Sequence, residues 1–336
     1  MAVIRVLAGI REARPTGRPV GATGEESPEP PALVRRTLEL AGLEVPLVEV
    51  TGSGDGPVLT VIAGVHGCEY AAMAGVRRWL RELEKQELRG QVRAVPVLNL
   101  TAFAARTPFV VPEDGKNLNR CFPGDPDGTL GERLAYDTFS QLISGSDALI
   151  DAHSGDMVEA LQPFALYEAG PAEARARDLA TAYGLPYVIR QEKGPDRAVS
   201  GTSSGAAAEA GIPAITAEAG GCGLVEEYAV ALHVAGLNAV LSVLGMTGGR
   251  VGREPARPPT HLGRFLWLRC RQAGWWQPVV AAGEALAEGQ VIGTISTLDG
   301  AEVLETVTAP ADCVVIFLTS SPAVADDGLL IGVGAA

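Results

Sequence analysis

Along residues 45–248, continuous apolar runs typical of buried strands alternate with stretches whose apolar residues have helical spacing. This alternation is the feature that most constrains the fold. The run "PVLTVIAGVHG" (57–67) is continuously apolar and ends in glycine, which is typical of a strand buried on both faces. The next stretch, "EYAAMAGVRRWLREL" (69–83), places its apolar residues at helical spacing. We therefore predict an α/β fold with layers around a largely parallel sheet. The same patterns predict strands at 90–100, 147–155 and 212–221, and helices at 132–144, 171–184, 203–211 and 228–246.

The pattern changes after "GGR" (248–250). A Pro/Arg-rich linker, "REPARPP" (253–259), is followed by short β-type runs that alternate with Gly, Pro and Asp turns. This indicates a small all-β domain. We predict two domains: residues 1–249, of which the first 40 are less regular, and residues 250–336.

Composition narrows the possible partners. A net charge of -13 argues against nucleic acid, because phosphate binding needs a basic surface. No run approaches 18 apolar residues and the N-terminus lacks a signal-peptide layout, so no membrane partner is expected. The five cysteines are an odd number without a CxxC pair, which favours free thiols. We expect a cytoplasmic protein with a small-molecule partner, and homo-oligomerisation is left open.

The stretch "GVHGCEY" (64–70) holds three potential metal ligands, His66, Cys68 and Glu69. A spacing of three lets His66 and Glu69 reach one ion from the first turn of a helix. Alone, the stretch is more simply explained as an ordinary turn with a helix-start Glu favoured by the dipole. His153, in "LIDAHSG", stands at the carboxyl end of a later strand, where ligand sites of α/β sheets gather. Two His and one Glu form a set used for catalytic zinc.

Two further stretches suggest a substrate site. The loop-like "EDGKNLNRCFPG" (113–124) contains Asn117, Asn119 and Arg120, and an Arg beside amides suits a carboxylate-binding pocket as well as a plain surface loop. Glu218 ends an apolar strand in "AITAEAGG", where packing explains a carboxylate poorly. It is a candidate general base near a metal-activated water, or else a helix-capping acid.

These motifs, taken in order, resemble the succinylglutamate desuccinylase/aspartoacylase family over roughly residues 35–245. The resemblance rests on H-x-x-E, then Arg, N-x-N-R, D-x-H, and Glu before Gly-Gly. It implies a zinc-peptidase-like α/β/α sandwich with a mixed sheet, and a zinc-dependent amidohydrolase. One zinc ion per chain would be held by His66, Glu69 and His153, with Glu218 as the base.

The resemblance also implies roles for the remaining candidates. Asn119 and Arg120, with Asn117 beside them, would grip a substrate carboxylate. Arg106, in "AFAARTPF", would polarise the scissile carbonyl. Asp151 would orient a ligating histidine, which could be either of the two.

The C-terminal region resembles a barrel-sandwich hybrid of the biotinyl/lipoyl kind. Residues 260–336 contain no lysine, so this region should not carry biotin or lipoate. It is expected to pack near the mouth of the cleft or to mediate assembly.

The expected reaction is hydrolysis of an N-acyl amino acid to a carboxylate and an amine. The same ligands would also serve a zinc carboxypeptidase acting on short peptides. A third hypothesis is a non-catalytic small-molecule-binding protein on the same scaffold. A closed pocket of amino-acid size would favour the deacylase, and an open groove would favour the peptidase.

Overall fold

A computed structural model describes residues 31–192, 200–248 and 257–335. Within them it contains a nine-stranded mixed sheet and two smaller antiparallel sheets formed largely by C-terminal residues. The predicted fold class, α/β with an added all-β region, is confirmed. The linker predicted at 253–259 lies outside the described residues as far as residue 256.

Among the described residues, the larger, N-terminal region contains six α-helices and nine strands. Its strands are β1 (Ala32–Leu40), β2 (Leu43–Thr51), β3 (Val58–Ala63), β4 (Gln91–Val95), β5 (Ala148–His153), β6 (Glu159–Leu161), β7 (Phe164–Glu168), β8 (Tyr187–Gln191) and β9 (Ala214–Glu218). Its α-helices are α1 (Tyr70–Leu83), α2 (Leu100–Ala105), α3 (Leu130–Thr138), α4 (Glu173–Tyr183), α5 (Ser203–Glu209) and α6 (Glu227–Val243).

Three parallel strands form the centre of the large sheet. The strand order is β1-β2-β4-β3-β5-β9-β7-β8-β10, with β10 (Thr260–Leu262) at the far edge. Strands β3, β5 and β9 are neighbours and run parallel, so their carboxyl ends meet at one edge. Their side chains are almost all buried, which agrees with the continuous apolar runs in the sequence.

Helices cover both faces of this sheet. Helix α1 packs against α6 on one face, and its buried stripe includes Val76 and Trp79, as its spacing predicts. The indole Nε1–H of Trp79 donates to the Asn238 side chain on α6 at 3.0 Å. Helices α3 and α5 contribute to a second apolar cluster with β3 and β5. The central strands therefore lie between two layers of helices.

Two local predictions differ from the structure. Of the first 40 residues, which were expected to be less regular, residues 1–30 lie outside the described residues, whereas Ala32–Leu40 is a strand that pairs with β2 over nine positions. Its side chains are mostly exposed, so no buried-strand pattern marks it in the sequence. The strand predicted at 90–100 ends at Val95, and helix α2 begins at Leu100. The side chain of Asn99 caps that helix by accepting from the backbone N–H of Ala102.

The C-terminal strands form a four-stranded sheet and, together with β6, a five-stranded sheet. They are β11 (Arg264–Arg269), β12 (Gly274–Pro278), β13 (Ala285–Leu286), β14 (Val291–Ser296), β15 (Val303–Thr308), β16 (Cys313–Thr319), β17 (Ala323–Val324) and β18 (Leu329–Ala335). The buried Trp276 belongs to the apolar cluster of these strands.

The two regions exchange strands. Strand β10, from the C-terminal side, pairs with β8 in the large sheet, whereas β6, from the N-terminal side, pairs with β16. A division near residue 250 therefore does not separate the sheets, and the two-domain description stays a prediction. Among the helices of the described residues, none is long and apolar enough to cross a membrane.

Candidate metal centre and substrate cavity

The turn after β3 carries the first two candidate ligands. Gly67 allows this turn to lie against the start of α2, because a Cβ there would come within 2.2 Å of the Ala102 backbone. Glu69 is the N-cap residue of α1, so the turn and the helix start hold His66 and Glu69 side by side. The third candidate, His153, is the last residue of the neighbouring β5.

The three side chains form one buried cluster. A nitrogen or oxygen from each of His66, Glu69 and His153 lies within 4.8 Å of the others. The two carboxylate oxygens of Glu69 lie 2.5 Å from His66 Nδ1 and 2.7 Å from His153 Nδ1. The structure thus brings together the three residues that the sequence nominated.

A second set of contacts orients the two rings. The side-chain oxygen of Asn117 lies 3.0 Å from His66 Nε2, and Asp151 Oδ2 lies 3.0 Å from His153 Nε2. Asp151, fully buried, also accepts from the Ser203 hydroxyl. Of the two partners left open for Asp151, the structure selects His153. The contact at Nε2 therefore orients each ring so that its Nδ1 faces Glu69.

The charges of this cluster suit a cation. Burial opposes ionisation of Glu69, but the two histidines outweigh it and lower the pKa to about 2. Burial also opposes protonation of His153, but Asp151 and Glu69 outweigh it and raise its pKa well above the usual value. The negative charge that favours this proton would equally attract a divalent cation. Imidazole nitrogens and a carboxylate oxygen are the donors that zinc takes.

Glu218 ends β9 directly beside the cluster. Its Cα is in register with that of His153 on the adjacent strand β5. Burial, together with the charges of Glu69, Glu159 and Asp151, raises the pKa of Glu218 well above its usual value, although His153 opposes the shift. A carboxylate of raised pKa next to a candidate metal centre is suited to accept a proton.

The cluster opens into a cavity of about 410 Å³. Asn119 and Arg120 line it from the short 3₁₀ turn Leu118–Arg120, and Asn119 is fixed because its side-chain oxygen accepts from the Ser203 backbone at 3.0 Å. The opposite wall comes from the C-terminal sheet. It consists of Phe265, Trp267, Arg269, Phe317 and Leu329.

Arg106 is not brought to this cavity. It follows α2 in a left-handed conformation, with φ of 55°, and lines a separate pocket with Tyr70 and Phe103. Its suggested contact with a substrate carbonyl stays a prediction that this arrangement does not support. Asn117 lines the cavity, but its side-chain oxygen is engaged by His66 and by the Asn119 backbone N–H.

Two further residues, His233 and Cys68, are buried in structural positions. His233 is buried between the Tyr183 hydroxyl and the Ala219 carbonyl, and burial lowers its pKa to about 4. Cys68 is fully buried, and burial raises the pKa of its thiol, so a nucleophilic role is disfavoured. All five cysteines are free, as their spacing predicts.

Several cavity residues escaped the sequence analysis. Phe109 packs its ring edge-to-face against His66, with 5.7 Å between ring centres. Glu159 and Glu168 add carboxyl groups to the lining. The sequence feature that could have indicated Glu159 is its position as a single acidic residue between Val158 and Ala160 in a mainly apolar stretch. The aromatic wall carried no signal, because it depends on strand pairing distant in sequence.

Comparison with known proteins identifies the family. Residues 55–244 match the model of the succinylglutamate desuccinylase/aspartoacylase catalytic domain. An N-alpha-acetyl-L-2,4-diaminobutyric acid deacetylase of Halomonas elongata is 31% identical over 257 residues, which cover 74% of this chain and 73% of that protein.

Solved structures support the same fold. A succinylglutamate desuccinylase/aspartoacylase from Rhodobacter sphaeroides aligns with a TM-score of 0.77 and 26% identity, covering 90% of this chain and 94% of that one. The product-bound ectoine utilization protein of Ruegeria pomeroyi aligns with a TM-score of 0.79, covering 96% of this chain and all of that one. At 22% identity the latter shows the fold alone.

Fold and site together define the class: a hydrolase of mixed α/β fold that acts on amide bonds and has a candidate metal centre near its strand ends. The chain belongs to the succinylglutamate desuccinylase/aspartoacylase family, as its ordered motifs predict.

Proposed function

We propose that this chain is a zinc-dependent hydrolase that cleaves the amide bond of an N-acyl amino acid or a similar small carboxylate-bearing amide. One observation carries the proposal. The buried cluster of His66, Glu69 and His153 opens into a cavity that also holds Glu218 and Arg120. Donors for a cation, a proton acceptor and a carboxylate-binding group thus share one space.

His66, Glu69 and His153 would hold one zinc ion, while Asp151 and Asn117 orient the rings. Zinc in such a site supplies Lewis acidity, which polarises a carbonyl and makes water more acidic. Glu218 accepts the proton of the attacking water at its carboxylate and then passes it to the nitrogen of the departing amine. Its raised pKa matches this task, because the protonated form is populated closer to neutral pH than in a free glutamate.

Arg120 and Asn119 would position the substrate through its carboxylate. The guanidinium offers paired donors to a carboxylate, and the amide adds a directional contact. Holding this remote group fixes the scissile bond relative to Glu218. For the group that stabilises the developing charge on the carbonyl oxygen, Arg106 stays a prediction.

The shape of the cavity favours a deacylase over a carboxypeptidase. Its volume of about 410 Å³ suits a small molecule, and the C-terminal residues Phe265, Trp267 and Phe317 line its far side. A peptide substrate would need an open groove. The name of the Halomonas elongata relative supports acetyl as the acyl group. The five free cysteines agree with a reducing compartment and support a cytoplasmic location.

The test combines metal analysis with turnover of N-acetyl amino acids by purified, zinc-loaded enzyme. We expect His66→Ala to lose zinc and activity together. Glu218→Gln should keep zinc but lose activity by about 10²- to 10⁴-fold, the usual contribution of a general base. Glu44→Gln, an exposed acid on β2, is the matched control and should behave as wild type. A wild-type protein without affinity for zinc, or full activity in Glu218→Gln, contradicts the proposal.

A further inference from the structure

Glu159 is a cavity carboxyl that the proposed mechanism does not use. Its backbone is fixed, since it pairs with Thr319 of β16 and its carbonyl accepts from the Cys222 N–H at 3.0 Å. Gly221 packs closely against this carbonyl, because a Cβ at position 221 would lie 2.2 Å from the backbone carbonyl oxygen of Glu159. The side chain therefore projects from a defined position in the wall.

Only one hydrogen bond of this side chain is found within the described part of the chain. Oε2 accepts from the backbone N–H of Asp156 at 3.2 Å. Oε1 makes no hydrogen bond to the residues described, while the side chain lines the cavity. One oxygen of Glu159 thus remains for a molecule in the cavity.

The position of the Glu159 carboxyl favours a positively charged partner. Burial raises the pKa of this carboxyl to about 7, because desolvation disfavours its charged form. A carboxylate placed there is costly unless a cation or a donor meets it. A cationic ligand group would pair with it and favour its ionised form.

The other groups of the proposed substrate already have partners. Arg120 and Asn119 would take the carboxylate, and the metal cluster with Glu218 would take the scissile amide. A third polar group of the substrate, of positive charge, would complement Glu159. We propose that Glu159 binds a protonated amine of the substrate, so that the substrates are N-acyl diamino acids. This inference rests on the proposed function, and the diamino acid in the name of the Halomonas elongata relative agrees with it.

The experiment compares two substrates that differ only in this amine. Nα-acetyl-2,4-diaminobutyrate carries it, whereas N-acetyl-2-aminobutyrate has the same carbon skeleton without it. We expect wild-type kcat/KM to favour the first by about tenfold or more, the usual effect of a hydrogen bond to a charged group. In Glu159→Gln, which keeps an oxygen for the Asp156 N–H, the preference should fall to near unity through KM. Glu44→Gln should keep the wild-type preference.

Binding gives a readout that does not depend on turnover. Titration calorimetry on Glu218→Gln, alone and combined with Glu159→Gln, should show the same preference and its loss. Equal kcat/KM for the two compounds in wild type, or an unchanged preference in Glu159→Gln, overturns the inference and leaves the proposed function intact. If wild type hydrolyses neither compound, the proposed function is contradicted for acetyl substrates. In that case calorimetry still tests whether Glu159 binds the amine. Equal affinities for the two compounds would overturn that role.

Discussion

The two walls of the cavity are built on different principles. The wall at the strand ends is polar, and its side chains contact one another through polar atoms. Asp151 contacts His153, and Asn117 contacts His66. The wall from the C-terminal sheet is mainly aromatic. There Trp267 packs edge-to-face on Phe317 and Phe265, with ring centres 5.5 and 6.0 Å apart.

This difference assigns each wall a task. Buried polar networks fix donors within narrow limits, which metal binding and proton transfer need. Aromatic faces exclude water and provide shape, but they move no protons. Changes in the polar wall should therefore alter metal affinity and kcat, whereas changes in the aromatic wall should alter KM.

The largest expected effect follows from removing the charge of Asp151. Asp151→Asn replaces the carboxylate behind His153 by a neutral amide, so the ring loses its orienting acceptor. Such partners typically contribute 10- to 100-fold to metal affinity. We expect zinc affinity to fall in that range, measured by competition with a chelator, and activity to recover at excess zinc.

Asp147→Asn is the matched control for this experiment. Asp147 precedes the same strand and accepts from the Val58 N–H at 2.8 Å, outside the cavity. Its replacement should leave zinc affinity unchanged. Wild-type affinity in Asp151→Asn would show that the polar network does not tune the centre.

A smaller effect is expected when the aromatic wall is opened at Trp267. The guanidinium carbon of Arg120 lies 6.0 Å from the centre of the Trp267 ring, so Trp267 both lines the cavity and contacts the residue that we propose to bind the substrate carboxylate. Trp267→Ala should raise KM about three- to tenfold, the usual range of aromatic and cation–π contacts, with kcat little changed.

Steady-state kinetics on an N-acetyl amino acid measures this effect. Trp275→Ala is the control, because Trp275 is an exposed side chain of β12 that does not line the cavity. A fall in kcat at constant KM would mean that the aromatic wall takes part in the chemistry, and the division of tasks would be wrong.

The same contrast explains what the sequence predicts. Apolar runs mark β3, β5 and β9, and parallel neighbours bring their ends together, so His66, Glu69, His153 and Glu218 were found from local patterns. The aromatic wall and Glu159 depend on pairings such as β6 with β16, which no local pattern specifies.

Loop conformation was the second obstacle. Arg106 was placed by its order among the motifs, but the left-handed turn after α2 directs it to another pocket. Asn117 was assigned to substrate, whereas its oxygen supports His66. Residue type and order thus brought Asn119 and Arg120 to the cavity together with the groups near the strand ends, but they could not place Arg106, whose position depends on the conformation of a turn.

The smallest effect on activity is expected at Gly332 in β18, behind the aromatic wall. A Cβ at this position would lie 2.2 Å from an atom of the Phe317 ring, so the glycine makes room for that ring. Gly332→Ala should push Phe317 toward the cavity and raise KM about twofold. The crowding should also lower the free energy of unfolding by about 1–3 kcal/mol, the usual cost of overpacking. Denaturant titration and kinetics check both, with Gly248→Ala, which meets no atom within 4 Å, as the control. If Gly332→Ala is destabilised but its KM is unchanged, the ring yields away from the cavity, and Phe317 serves the C-terminal core rather than substrate selection.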